Sequence, residues 1–243
     1  MARLFLVICS AFIFSSAMAQ LDEVVAHYGA LPGEDSGTTL HFIQPSDELV
    51  EDFSKLSQII LIRHGEPALE HKGWRNRKEA IAYFEAYDSV GIFPPDFIPL
   101  ELAPNELEVI HTSSIQRAIS TAELVFHQPE LQQPDPLFRE FEKKVLWFFK
   151  LRLPTSFWRY GSRILWVLGF NTKGIERYSE ARERAEQAAI ALEEDAQAKG
   201  KTLLVAHGVL NHFIDKNLQD RGWTKVYDGG NGYLSQVMLV KYK

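Results

Sequence analysis

Two histidines and two arginines are the residues here whose types and spacing can do chemistry. Arg63, His64 and Gly65 end the apolar run "QIILIRHGEP", and His207-Gly208 ends a second such run, "KTLLVAHG". A third run, "ELEVIHTSS", finishes on Thr112, Ser113 and Ser114, with Arg117 just beyond it. Guanidinium forks match the oxygens of a tetrahedral dianion bidentately, so a pair of arginines beside a pair of histidines points to a phosphoryl group.

These residues are far apart in the chain, so a fold must gather them. The runs Ile59 to Ile62 and Lys201 to Ala206 read as buried strands, and helix-spaced apolar residues follow them. One helix is expected over Lys78 to Ser89, stopped by Gly91 and Pro94-Pro95. A second carries Ile115, Ala118, Ile119, Ala122 and Val125, with Ser113 or Ser114 as its N-cap. A third carries Tyr178, Ala181, Ala185, Ala188 and Leu192 and stops at Gly200. "VLNHFIDKNL" resumes as a helix after His207, and "YLSQVMLVKY" closes the chain as a strand. Alternating strands and helices predict a three-layer α/β/α fold with a mostly parallel central sheet. In such sheets ligands gather at the carboxyl ends of the strands, where the histidines and arginines stand. Helix N-termini after Ser114 and Gly208 would add backbone N–H donors there.

The first 19 residues form a separate unit. Arg3, an apolar run from Leu4 to Phe14 and the small residues before Ala19 have the layout of a secretory leader, cleaved near Ala19. Export to the periplasm or the medium is the expectation. The one cysteine, Cys9, lies in that leader, so the remainder has no thiol chemistry and no disulfide. Residues 20–56, punctuated by "GALPGEDSG" and "QPSDE", read as a peripheral segment before a domain over 57–243. The whole chain has a net charge of −6, and an acidic balance argues against general affinity for nucleic acid. A local cationic cleft can still take an anionic substrate. No His/Asp/Glu cluster has metal-ligand spacing, and no cofactor is expected. The pattern specifies no oligomeric state.

"RHGEP", "TSSIQRA..T" (ending on Thr121) and "LLVAHG" together resemble the phosphoglycerate mutase-like branch of the histidine phosphatase superfamily, over roughly Gln58 to the C-terminus with a poor match in the middle. The resemblance implies that His64 attacks phosphorus through a ring nitrogen to give a phosphohistidine. Arg63, Arg117 and His207 would hold the phosphoryl oxygens and stabilise their charge in the transition state. Neighbouring arginines disfavour protonation, so His64 would stay neutral and nucleophilic. Gly65 would let the backbone pass close to the substrate and help orient the imidazole. For the general acid, "PLFREFE" offers Glu140, with Glu142 as the alternative. Ser113 is either a cap or a phosphate ligand, and Asn211 either lines the pocket or sits on a helix surface. His71 and His212 belong to no motif and read as structural or solvated.

Pro67 and Glu70 depart from the family's mutases, which favours hydrolysis over phosphoryl transfer to a second acceptor. The expected activity is that of a metal-independent phosphatase acting on a small or amphiphilic phosphomonoester. The rival readings are a phosphomutase and a non-catalytic phosphate- or lipid-binding protein on the same fold. Substrate choice is expected to reside near Glu70 and in an aromatic-rich insertion, about 143–176. Val145 to Phe170 of that insertion are dense in Trp and Phe, with Lys150, Arg152, Arg159 and Arg163 spaced through them. They read as a pair of cap helices with snorkelling cations, compatible with a lid, or alternatively as a membrane-surface contact.

Overall fold

Ile59 to Ile62 form a run that is apolar without alternation because both faces of their strand are covered. The computed structural model describes residues 21–33, 37–146, 151–170 and 172–242, so the leader over 1–19 and Lys150 lie outside the described residues. In strand β1 (Leu56–Arg63), Ile60 and Ile62 enter one apolar cluster while Ile59 and Leu61 enter another. Strand β6 (Lys201–Ala206) divides the same way, with Leu203 and Val205 on one side and Leu204 and Ala206 on the other. The period of two thus survives as a choice between cores rather than between core and water.

The main sheet has six strands in the order β4-β3-β6-β1-β8-β7. Strands β3 (Ile110–Ser113) and β4 (Gln132–Asp135) run parallel with β6 and β1. Strands β7 (Thr224–Asp228) and β8 (Gln236–Tyr242) are antiparallel, β8 against β1 and β7 against β8. The sheet is therefore mostly parallel with an antiparallel flank. On one face, α5 (Tyr178–Lys199) and α6 (Gly208–Asp220) close the cluster around Ile59 and Leu204. Helix α5 ends where Gly200 turns left-handed at φ 87°. On the other face, α3 (Gln116–Phe126) packs with the N-terminal segment.

That segment is not peripheral. Residues 21–29 are helical (α1), and Val24, Tyr28, Leu40, Phe42 and Ile43 are all buried in the core beneath β1 and β6. Its turn-rich spelling hides this, because the buried residues are separated by glycine and proline punctuation.

Helix α2 (Arg77–Ser89) is capped by Asn76, which accepts from the Glu79 amide while Glu79 accepts in return. Strand β2 (Trp74–Arg75) pairs with β5 (Leu153–Pro154), which leads into α4 (Thr155–Val167). Among the described residues the insertion holds helix α4, and residues 147–150, where the other helix of an expected pair would fall, lie outside the described residues. Trp158 and Trp166 anchor it from one side, each fully buried. Trp158 joins Ala80, Val145 and Leu146 over α2, and Trp166 joins the cluster around Phe141.

Candidate active site

Strand register brings the site together. Arg63 stands opposite Ala206, and Thr112 opposite Val205, so β1, β6 and β3 leave the sheet side by side. The residues that follow, His64 and His207, have ring centroids 5.2 Å apart, with Ser113 beside them. His64 is fixed by backbone, since its own N–H donates to the Ala206 carbonyl at 2.9 Å.

The imidazole of His64 has a defined tautomer. Nδ1 lies 2.8 Å from the Gly65 carbonyl, which can only accept, so Nδ1 carries the hydrogen. Nε2 then holds the lone pair, and it accepts from Arg117 Nε at 3.2 Å. Burial, followed by the nearby charges of Arg117, Arg63 and Lys143, holds the His64 pKa well below its ordinary value; the Gly65 carbonyl opposes this. His207 is pushed well below its ordinary value in the same way, by burial first and then by Arg117 and His64. Its Nε2 is 2.7 Å from Ser113 Oγ, and its buried Nδ1 has no hydrogen-bond partner among the described residues.

The arginines are held by aromatic faces and backbone. Arg117, buried on α3, donates from Nη1 to the Tyr87 carbonyl at 3.0 Å and to Asp88 at 2.8 Å. Its guanidinium carbon lies 4.5 Å from the Tyr87 ring centroid. Arg63 lies 4.6 Å over Tyr233 and donates to the Asn231 carbonyl, while its buried Nε has no partner among the described residues. Gly208 makes room for it, since a Cβ there would stand 3.3 Å from Arg63 Cδ and Nε. Gly65 also leaves room for Ile92, since a Cβ there would stand 2.7 Å from Ile92 Cδ1. The Gly65 amide donates to Thr121 on α3, which donates in turn to the Arg117 carbonyl.

These groups open onto a cleft of about 350 Å³ whose walls include Arg63, His64, Arg117, Glu140 and Lys143. Helix α4 adds Arg159, Tyr160 and Arg163, so five cations and one carboxylate line the cleft. Burial lowers Lys143 to about 8, against the pull of the Glu140 carboxylate, which raises it. Arg163 approaches Glu140 at 4.0 Å. Glu142 is exposed, outside this cleft, and accepts from the Glu176 amide at 2.7 Å.

Ser113 does not cap α3, whose N-cap is Ile115. Its Oγ accepts from the Ile115 amide at 3.2 Å and meets His207 instead. Asn211 is buried and lines a neighbouring cavity of about 400 Å³ that shares Arg63 and Gly208 with the cleft. Neither Pro67 nor Glu70 reaches the cleft. Pro67 is buried and bridges to Ile92, and Glu70 is exposed, its carbonyl accepting from Arg75. His212 lines the cleft, and His71 stacks on Tyr233 at 6.3 Å, so both have closer ties to the site than their lack of motif suggests. Thr121 closes the TSSIQRA..T motif, whereas Tyr233 and Lys143 had no motif to announce them. Tyr83 and Tyr87, four apart on α2, carried a legible signal, a buried helical stripe.

The family model of the histidine phosphatase superfamily (branch 1) matches residues 98–240. Similar solved structures include a mycobacterial glucosyl-3-phosphoglycerate phosphatase, 19% identical over 76% of this chain and 90% of that one, with a TM-score of 0.43. Another is a phosphoglycerate mutase from Bacillus anthracis, 16% identical over 77% of this chain and 89% of that one, TM-score 0.48. A third is a phosphoserine phosphatase mutant from Entamoeba histolytica, 13% identical over 74% and 89% of the two chains, TM-score 0.42. No curated protein matches the sequence.

Proposed function

The chain belongs to branch 1 of the histidine phosphatase superfamily, and on that premise we propose that it hydrolyses a phosphomonoester through a phosphohistidine on His64. The observation that carries this reading is the state of His64: buried, neutral, with the Nε2 lone pair turned to a guanidinium in a cationic cleft. In the proposed first step Nε2 attacks phosphorus as the bond to the alcohol oxygen breaks, and the carboxylic acid of Glu140 gives that oxygen its proton. In the second, the Glu140 carboxylate takes a proton from water as its oxygen attacks phosphorus and His64 leaves. Glu140 is preferred to Glu142 for this role because it lines the cleft that holds His64.

Arg63 and Arg117 would hold the phosphoryl oxygens, Arg117 exchanging its bond to Nε2 for one to the substrate. His207 would donate from Nδ1, the buried atom without a partner. Ser113 supports that tautomer: Oγ accepts from the Ile115 amide and is free to donate its single proton to His207 Nε2, leaving the hydrogen on Nδ1. The leader-like pattern of residues 1–19 supports export as part of the same reading.

His64→Ala is expected to lower turnover of p-nitrophenyl phosphate by about 10³-fold or more without unfolding the protein. Quenching the wild type in alkaline detergent during turnover of ³²P-labelled substrate should trap a label on His64 that is stable to base and lost in acid. Full turnover by the variant would overturn the mechanism.

A further inference from the structure

Helix α4 is apolar on two sides. Trp158 and Trp166 face the interior and are fully buried, which accounts for one side. The opposite stripe, Phe157, Tyr160, Ile164, Val167 and Leu168, follows helical spacing and is exposed. Tyr160, Ile164 and Leu168 are 64%, 60% and 63% exposed, and Phe170 beyond the helix end is 63% exposed. Large apolar side chains exposed singly are ordinary, but here they are contiguous. Seven of the thirteen among the described residues fall within 151–170, and Trp74 at 62% sits on the β2 strand paired with β5.

The chain segment that carries this stripe has charge of one sign, although Glu79 reaches Arg152 and Glu140 reaches Arg163 from outside it. Residues 143–175 hold seven Lys or Arg and no Asp or Glu, in a chain whose net charge is −6. A second copy of this chain seated there in an isologous pair would bring like charges together. An anionic lipid surface would meet both the apolar stripe and its cations. The described helices include none long and apolar enough to cross a membrane, so α4 would lie along the interface.

We propose that the outer face of α4 docks on an anionic lipid surface and holds the mouth of the cleft against it. Tyr160 belongs to the stripe and lines the cleft, and Arg159 and Arg163 line it from the same helix. A phosphomonoester whose alcohol part stays in the lipid would therefore reach His64 from the docked face. This last step rests on the phosphatase reading, whereas the docking does not.

The test is sedimentation of the full chain with vesicles of phosphatidylcholine alone or with about 30 mol% phosphatidylglycerol. The wild type should sediment with the anionic vesicles and be released by high salt. Ile164→Asp combined with Leu168→Asp should lower the bound fraction about tenfold, with an unchanged thermal midpoint and unchanged p-nitrophenyl phosphate turnover, since neither residue lines the cleft. Arg152→Glu with Lys173→Glu should weaken binding to the anionic vesicles while leaving the stripe intact. Wild-type protein that stays in the supernatant, or an Ile164/Leu168 variant that binds as well as wild type, would overturn the proposal. So would light scattering that shows a wild-type dimer dissolved by the same variant. Sedimentation without aryl phosphate turnover would sink the phosphatase reading and leave the docking intact.

Discussion

A histidine attacks phosphorus only while one ring nitrogen keeps its lone pair, and at ordinary exposure half of the imidazoles lose it near pH 6.5. Burial and the Arg117 charge move His64 well below that point, and His207 follows for the same reasons. Ring-nitrogen NMR should therefore show both histidines neutral at pH 6.5 and still neutral as the pH falls further; midpoints near 6.5 would contradict the geometry. The sign for stability follows. Below pH 6.5 the unfolded chain binds protons on these histidines while the folded chain does not, so their contribution is full above 6.5. It is lost as the pH drops through 6.5 towards their folded values. The thermal midpoint should fall with acidification over that window, and His64→Ala and His207→Ala should each flatten the slope.

At the scale of elements, two strands and one glycine set where Arg63 can go. Parallel pairing puts β1 and β6 in register at Arg63 and Ala206, and the first residue of α6 is Gly208, against the Arg63 side chain. Gly208→Ala places a methyl 3.3 Å from Arg63 Cδ and Nε, so the guanidinium must shift by a few tenths of an ångström. The expected result is a several-fold rise in KM for aryl phosphate with little change in the thermal midpoint; an unchanged KM would mean Arg63 does not hold the substrate. The elements that build this arrangement were legible because they are periodic: β1, β6, α3 and α5 announce themselves by apolar spacing and by Gly200. Strand β4 was not, since Gln132 to Asp135 contain no branched apolar residue and include a proline that only an edge strand tolerates. The same holds within the site. Arg63, His64, Arg117 and His207 sit at strand exits or a helix start, whereas Lys143 and Tyr233 arrive on irregular chain whose direction no periodicity encodes.

For the whole molecule, the segment before β1 decides whether the sheet can exist at all. Val24, Tyr28, Leu40, Phe42 and Ile43 are each at most 1% exposed, beneath the strands that carry His64 and His207. Burial of a large apolar side chain is worth about 1.5–3 kcal/mol, so five of them contribute on the order of 10 kcal/mol. That matches the entire net stability of a typical domain, about 5–15 kcal/mol. The segment also satisfies a buried amide: Gln58 on β1 accepts from the Ile43 N–H at 2.8 Å and donates to its carbonyl at 3.0 Å. Removing the segment strands both ends of that side chain in the core, at roughly 1–3 kcal/mol for each unpaired group. A chain beginning at Glu51 is therefore expected to lose cooperative thermal unfolding and aggregate, while the chain beginning at Gln20 unfolds in one transition. A cooperative transition at an unchanged midpoint in the shorter chain would show that the segment only lies on the surface, and that the sheet holds the edge carrying His64 and His207 without it.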